Sequence, residues 1–88
     1  MDRLGELENL VAVVNAGSLR QAAARLRKSP ASVTRALADL EARLGVTLVD
    51  RTTRRIAPTE AGLQLAEEAS DILERYRLLS RDADARTV

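Results

Sequence analysis

Arg51, Arg54 and Arg55 stand within five residues of one another, in the polar run Asp50-Arg51-Thr52-Thr53-Arg54-Arg55. Guanidinium groups at that density suit backbone phosphates, or a narrow minor groove whose negative potential attracts them. Upstream lies Ser29-Pro30-Ala31-Ser32-Val33-Thr34-Arg35, which combines a helix start with groups that can read base edges. Arg35 can present two N–H donors to guanine O6 and N7, or one to a phosphate. Thr34 offers a hydroxyl to a base or a methyl to thymine. Ala31 and Ala38 are short enough to admit a groove wall, and Ser32 lies at the edge of the same face. Ser29 can bond a phosphate, helped by the free N–H groups of the first helical turn. Arg20, Arg25, Arg27 and Lys28 would add phosphate contacts, so most of this set positions and few members specify. Plainer roles exist for some of them. Thr34 and the alanines also fit a solvent-facing helix side, Arg43 fits an ion pair with Asp39 or Glu41, and Asp50 fits the shaping of a turn.

Other chemistries are closed off by composition. The chain has no His and no Cys, which excludes disulfides, thiolate or imidazole metal sites and nucleophiles of either type. No glycine loop for a nucleotide is present, and the acids lie mainly on solvent-facing helix positions, so neither an enzyme nor a cofactor is expected. No secretory segment or membrane-length apolar run is visible. A soluble, cytoplasmic protein is expected. The net charge of +1 conceals an uneven distribution. Residues 18–58 carry nine basic side chains against three acidic ones, a balance of +6, between stretches of −2 (1–17) and −3 (59–88). A basic middle with acidic flanks is the footprint of a polyanion-binding surface.

Those side chains need a scaffold, and 88 residues with a single aromatic, Tyr76, must build one from Leu, Val, Ile and Ala. Leu4, Leu7, Leu10, Val11 and Val14 recur at helical spacing and predict a first helix of about three turns, closed by Gly17. Ser18 and Gln21 form a capping box for a second helix with the apolar stripe Leu19, Ala22, Ala23 and Leu26. Ser29 followed by Pro30 starts a third helix that runs to Leu44 and stops at Gly45. Its buried stripe is Val33, Leu37, Leu40 and Leu44. Ala31, Thr34, Arg35, Ala38 and Ala42 fall on the opposite side. The connection between the second and third helices is only three or four residues, which fixes them at a steep angle and lets the third project. Val46, Leu48 and Ile56 predict two short strands around the basic run, the second ended by Pro58. The fold class is therefore mainly α: a winged helix-turn-helix of three helices and a β-hairpin wing over residues 1–58, followed by a long C-terminal dimerisation helix.

That fourth helix is capped by Thr59 and spans residues 59–80, with 81–88 as a polar, fraying tail. Leu65, Ile72 and Leu79 are spaced seven apart, as are Gly62, Ala69 and Tyr76, which makes an a/d seam. Leu63, Ala66, Leu73 and Leu78 widen it beyond what packing on the first helix would use. A homodimer through residues 60–80, built on Leu65, Ala69, Ile72, Tyr76 and Leu79, is the expected consequence. Sequence-specific binding of double-stranded DNA by that dimer is the leading functional expectation. The alternative is a protein-interaction module that uses the long helix, with an incidental basic surface.

The chain also resembles the LysR-type transcriptional regulators of bacteria. The resemblance lies in Gly17-Ser18-Leu19 with Ala22-Ala23 and Leu26, in Ser29 to Arg35, and in Leu40-Glu41 with Leu44-Gly45-Val46 and Leu48. It continues through Asp50 to Ile56 and Thr59-Glu60-Ala61-Gly62. It implies a winged helix-turn-helix whose linker helix pairs with its twofold mate at a promoter or operator. It places base and backbone contacts at Ser29, Pro30, Ala31, Thr34 and Arg35, and a wing arginine at Arg51. It further implies an effector-binding domain that is absent from this chain, and a small-molecule inducer only for that domain. The family usually has Phe where Leu19 and Val49 stand, Gln-Pro where Pro30-Ala31 stand, and Leu where Pro58 stands. The core is thus expected to be less bulky, and target preferences are not inherited.

Overall fold

The computed structural model describes residues 2–51 and 55–86. Four helices occur in it: α1 (Arg3–Ala16), α2 (Leu19–Leu26), α3 (Pro30–Leu44) and α4 (Glu60–Arg86), with strands β1 (Val49–Asp50) and β2 (Ala57–Pro58) between the last two. Local sequence explains the boundaries. Asp2, Ser18 and Ser29 each accept a bond from the backbone N–H three residues on, at the starts of α1, α2 and α3, which satisfies a donor the helix itself cannot. Gly17 and Gly45 end α1 and α3 in the left-handed region, at φ 72° and 71°.

Leu10, Val13, Ala22, Ala23, Val33, Leu37, Leu40, Leu48, Val49 and Ala66 form one core, with Leu19, Leu26, Ile56 and Leu65 packed around it. The alanines of α2 let it approach its neighbours closely, which offsets the absence of large aromatics. On α1 the fully buried positions are Glu6, Asn9, Leu10 and Val13; of the expected stripe only Leu10 is among them, and Leu4, Leu7, Val11 and Val14 are half-buried. The reason is that α1 is covered on two sides. Its 6-9-10-13 line meets α2 and α3, with the Asn9 amide donating to the Val33 carbonyl at 3.1 Å. Leu4, Glu8, Val11 and Val14 line the grooves against α4. Leu4 lies near Leu73 to Ser80 and Val14 near Leu63 to Ser70, so the two helices run antiparallel.

Three further expectations require correction. Leu44 is 47% exposed, so the last turn of α3 meets α1 through the neighbouring Arg43 and not through Leu44. The strands are two residues each, with Val49 opposite Pro58 and Asp50 opposite Ala57. Val46, Leu48 and Ile56 lie outside them, and Pro58 both pairs within β2 and is its last residue. A two-stranded ribbon has only edge strands, where proline is tolerated. Finally, residues 81–86 continue α4 as helix. They were expected as a frayed tail, but the alternation of Arg81, Asp82, Asp84 and Arg86 is compatible with a solvated helix. No helix among the described residues is long and apolar enough to cross a membrane.

Candidate nucleic-acid interface

Recognition by α3 requires one side of the helix sealed and the other free. Val33 and Leu37 are wholly buried and Leu40 nearly so. Ser29, Pro30, Ala31, Ser32, Arg35 and Ala38 are exposed, and Thr34 is half-buried. The Thr34 hydroxyl donates to the Pro30 carbonyl at 2.9 Å, which commits its proton to the backbone and leaves its oxygen with acceptor capacity. The Ser29 oxygen accepts from the Ser32 N–H at 3.1 Å, and its own hydroxyl proton remains for an anion. The helix start therefore combines a proline at the first position, the Ala31 N–H and a short-chain surface with Arg35 projecting from it.

Arg20, Arg25, Arg27 and Lys28 are all exposed around the connection into α3. Arg27 caps α2 with φ 58° and ψ 45°, and its N–H reaches back to the Ala23 and Ala24 carbonyls. Among the described residues it is the non-glycine position with positive φ, a conformation that favours glycine or asparagine. In the wing, Arg51 and Arg55 are exposed, and Arg54 lies outside the described residues.

Two carboxylates missed by sequence reasoning organise this surface. Glu6 is almost completely buried and bonds the Arg43 guanidinium, with Arg3 at 3.5 Å. The Arg43 hydrogen bond, which outweighs the penalty of burial, holds the Glu6 carboxyl below its ordinary value. Arg43 was expected to pair with Asp39 or Glu41. It reaches across to α1 instead. Glu41 accepts from the Leu48 N–H at 2.7 Å, the Val49 N–H at 3.3 Å and the Arg51 guanidinium at 3.0 Å. Burial works against its charged form, but the Leu48 and Arg51 bonds prevail and keep its carboxyl low. The Glu6 partnership has no signal at short sequence range, since Glu6 and Arg43 are 37 residues apart.

Of the residues expected to form the dimer seam, Ala69 is buried and Leu65 half-buried within the protomer. Ile72, Tyr76 and Leu79 remain 49%, 53% and 63% exposed, together with Leu63 and Leu78. The apolar face of α4 is thus divided between α1 and the outside.

A family model described as "Bacterial regulatory helix-turn-helix protein, lysR family" matches residues 4–63. The chain is 42% identical over 77 residues to the HTH-type transcriptional activator TtdR of Escherichia coli (strain K12), covering 88% of this chain and 25% of that protein. It spans about a quarter of the length of the curated relatives it matches. Among solved structures, the CbnR_DBD–DNA complex superposes with a TM-score of 0.91 at 36% identity, covering 99% of this chain and 100% of that one. The BenM_DBD/benA site 1 DNA complex gives a TM-score of 0.91 at 26% identity, covering 99% and 97%.

Proposed function

Because the chain belongs to the lysR family of bacterial regulatory helix-turn-helix proteins, we propose that it binds double-stranded DNA sequence-specifically as a homodimer and acts in transcriptional regulation in the cytoplasm. The observation that carries this reading is the two-sided α3, with Val33, Leu37 and Leu40 sealed in the core and Ser29 to Ala38 presenting an exposed face. The N-terminal turns of α3 enter the major groove. Arg35 reads or anchors there, Thr34 and the alanines fit its floor and walls, and Ser29 takes a phosphate. Arg20, Arg27 and Lys28 flank the helix along the backbone. Arg51, Arg54 and Arg55 reach phosphates or the adjacent minor groove. Residues 1–58 form the DNA-binding unit and α4 the linker that pairs two copies. Two recognition helices on one duplex face stand about 34 Å apart. The DNA complexes of CbnR_DBD and BenM_DBD, which share this fold, support the same mode of use.

Fluorescence anisotropy with the chain's own promoter region and a random duplex, over a range of salt, tests the proposal. Tighter binding to the promoter and a steep loss with salt are expected. Equal affinity for both duplexes would remove specificity, and a folded dimer without salt-dependent binding would favour a protein-interaction module. Arg35→Ala should weaken binding by about 1–3 kcal/mol if Arg35 reads a guanine, with relaxed preference at that base. Unchanged binding would assign the contact elsewhere.

A further inference from the structure

Leu48 is where three elements meet. Its N–H is held by the Glu41 carboxylate from the last turn of α3. Its carbonyl accepts from the Thr59 N–H at 2.9 Å, just before α4, and Thr59 also bonds the Thr47 carbonyl at 2.7 Å. The base of the wing is therefore clamped between the end of the recognition helix and the start of the long helix. Glu41 brings a charge to this clamp, and its second oxygen accepts from the Arg51 guanidinium at 3.0 Å. Arg51 keeps about a third of its side chain exposed, so that its remaining N–H donors are available to a ligand.

We propose that Glu41 is a positioning residue for DNA binding: it ties the end of α3 to β1 and steadies the Arg51 guanidinium for a backbone phosphate. The inference rests on the DNA-binding reading above. A long side chain that must be ordered on binding loses rotamer freedom, and a carboxylate that orders it beforehand reduces that loss. The same carboxylate sets where the wing leaves the recognition helix, so one group governs the spacing between the two contact surfaces. A rival account is that Glu41 only neutralises Arg51. The two accounts differ in sign. As a bare negative charge beside a polyanion, Glu41 would oppose binding, and removing its charge would strengthen it.

Two variants separate these accounts. Glu41→Asp keeps the charge but shortens the arm by about 1.5 Å, so it cannot reach both Leu48 and Arg51. Glu41→Gln keeps the reach and one acceptor for Leu48 but cannot pair with a guanidinium. Affinity for duplex DNA would be measured for both, alone and combined with Arg51→Gln, with circular dichroism and amide exchange at Leu48 and Val49 to monitor the fold. Positioning predicts that each variant binds roughly three- to tenfold more weakly, the range expected for coupled neighbours, and that its effect is smaller in the Arg51→Gln background than alone. Unchanged binding by Glu41→Asp, tighter binding by Glu41→Gln, or additive effects with Arg51→Gln would overturn the proposal. Loss of the fold in both variants would make Glu41 a stability residue and overturn it as well. Failure of the parent chain to bind any duplex would instead remove the DNA-binding reading itself, and this inference with it.

Discussion

At the scale of single residues, Arg27 carries a conflict between stability and charge. Its left-handed backbone, φ 58°, disfavours a side chain with a Cβ by about 1 kcal/mol, yet an arginine stands there beside the recognition helix. Arg27→Gly is expected to raise unfolding stability by about 0.5–1 kcal/mol. The same change should weaken DNA binding and lower its salt slope by about one. A chemical denaturation curve and a salt titration on one sample check both signs. Lower stability would show that the arginine side chain matters to the fold. Glu6 makes a different prediction. Its carboxyl is held below the ordinary 4.5, chiefly by the Arg43 hydrogen bond, so its ionised form favours the folded state. That contribution is complete above about pH 4.5 and is lost as pH falls through the depressed value. Glu6→Gln should destabilise the protein at pH 7 by about 1–2 kcal/mol, because Arg43 can rehydrate in part. It should also flatten the decline in melting temperature below pH 4.5. An acid limb of unchanged steepness would show that other carboxyls cause it.

At the scale of elements, the contact between α4 and Leu48, the residue before β1, is set by a glycine. A Cβ built on Gly62 would lie 1.9 Å from the Leu48 carbonyl oxygen, so only a residue without one lets the first turn of α4 lie against the backbone just before β1. Gly62→Ala gains about 1 kcal/mol of helix propensity, but the overlap involves backbone, which cannot swing away. A net loss of about 2–4 kcal/mol is expected from the forced displacement, measurable by urea unfolding. Stability equal to the parent would mean that α4 can slide off Leu48 without penalty. Because the Leu48 N–H also donates to the Glu41 carboxylate, displacement there would be felt at the wing as well as at the helix.

At the scale of the whole molecule, α4 extends the protein to 51 Å along its longest axis, against 24 and 19 Å across. Ile72, Tyr76 and Leu79 lie on this extension with about half or more of their surface exposed. Covering them with a second α4 would bring two recognition helices into one rigid assembly. Ile72→Glu is expected to yield a folded monomer by light scattering, since the 6-9-10-13 line of α1 and the core beneath it are untouched. The linked second site would then be lost, and affinity for a two-half-site duplex should fall by about a hundredfold or more. A dimer of undiminished strength would place the seam on a different surface.

Much of this protein can be derived from local chemistry. Ser18, Ser29 and Pro30 announce helix starts, Gly17 and Gly45 announce stops, and Val33-Leu37-Leu40 against Ala31-Arg35-Ala38 announces which side of α3 is offered outward. Each signal acts within about one helical turn, where backbone sterics and capping bonds leave few alternatives. The tertiary structure alone decided what depends on distant partners. It rotated the buried line of α1 onto Glu6 and Asn9 because that helix is covered from two sides. It sent Arg43 to Glu6 instead of to its near neighbours, joined Glu41 to Leu48 and Arg51, and required Gly62 opposite a carbonyl. It also divided the long apolar face of α4, giving Ala69 and Leu65 to the protomer and leaving Ile72, Tyr76 and Leu79 outside. A hydrophobic period records that a face will be covered; which neighbour covers each part of it is fixed only when the whole chain packs.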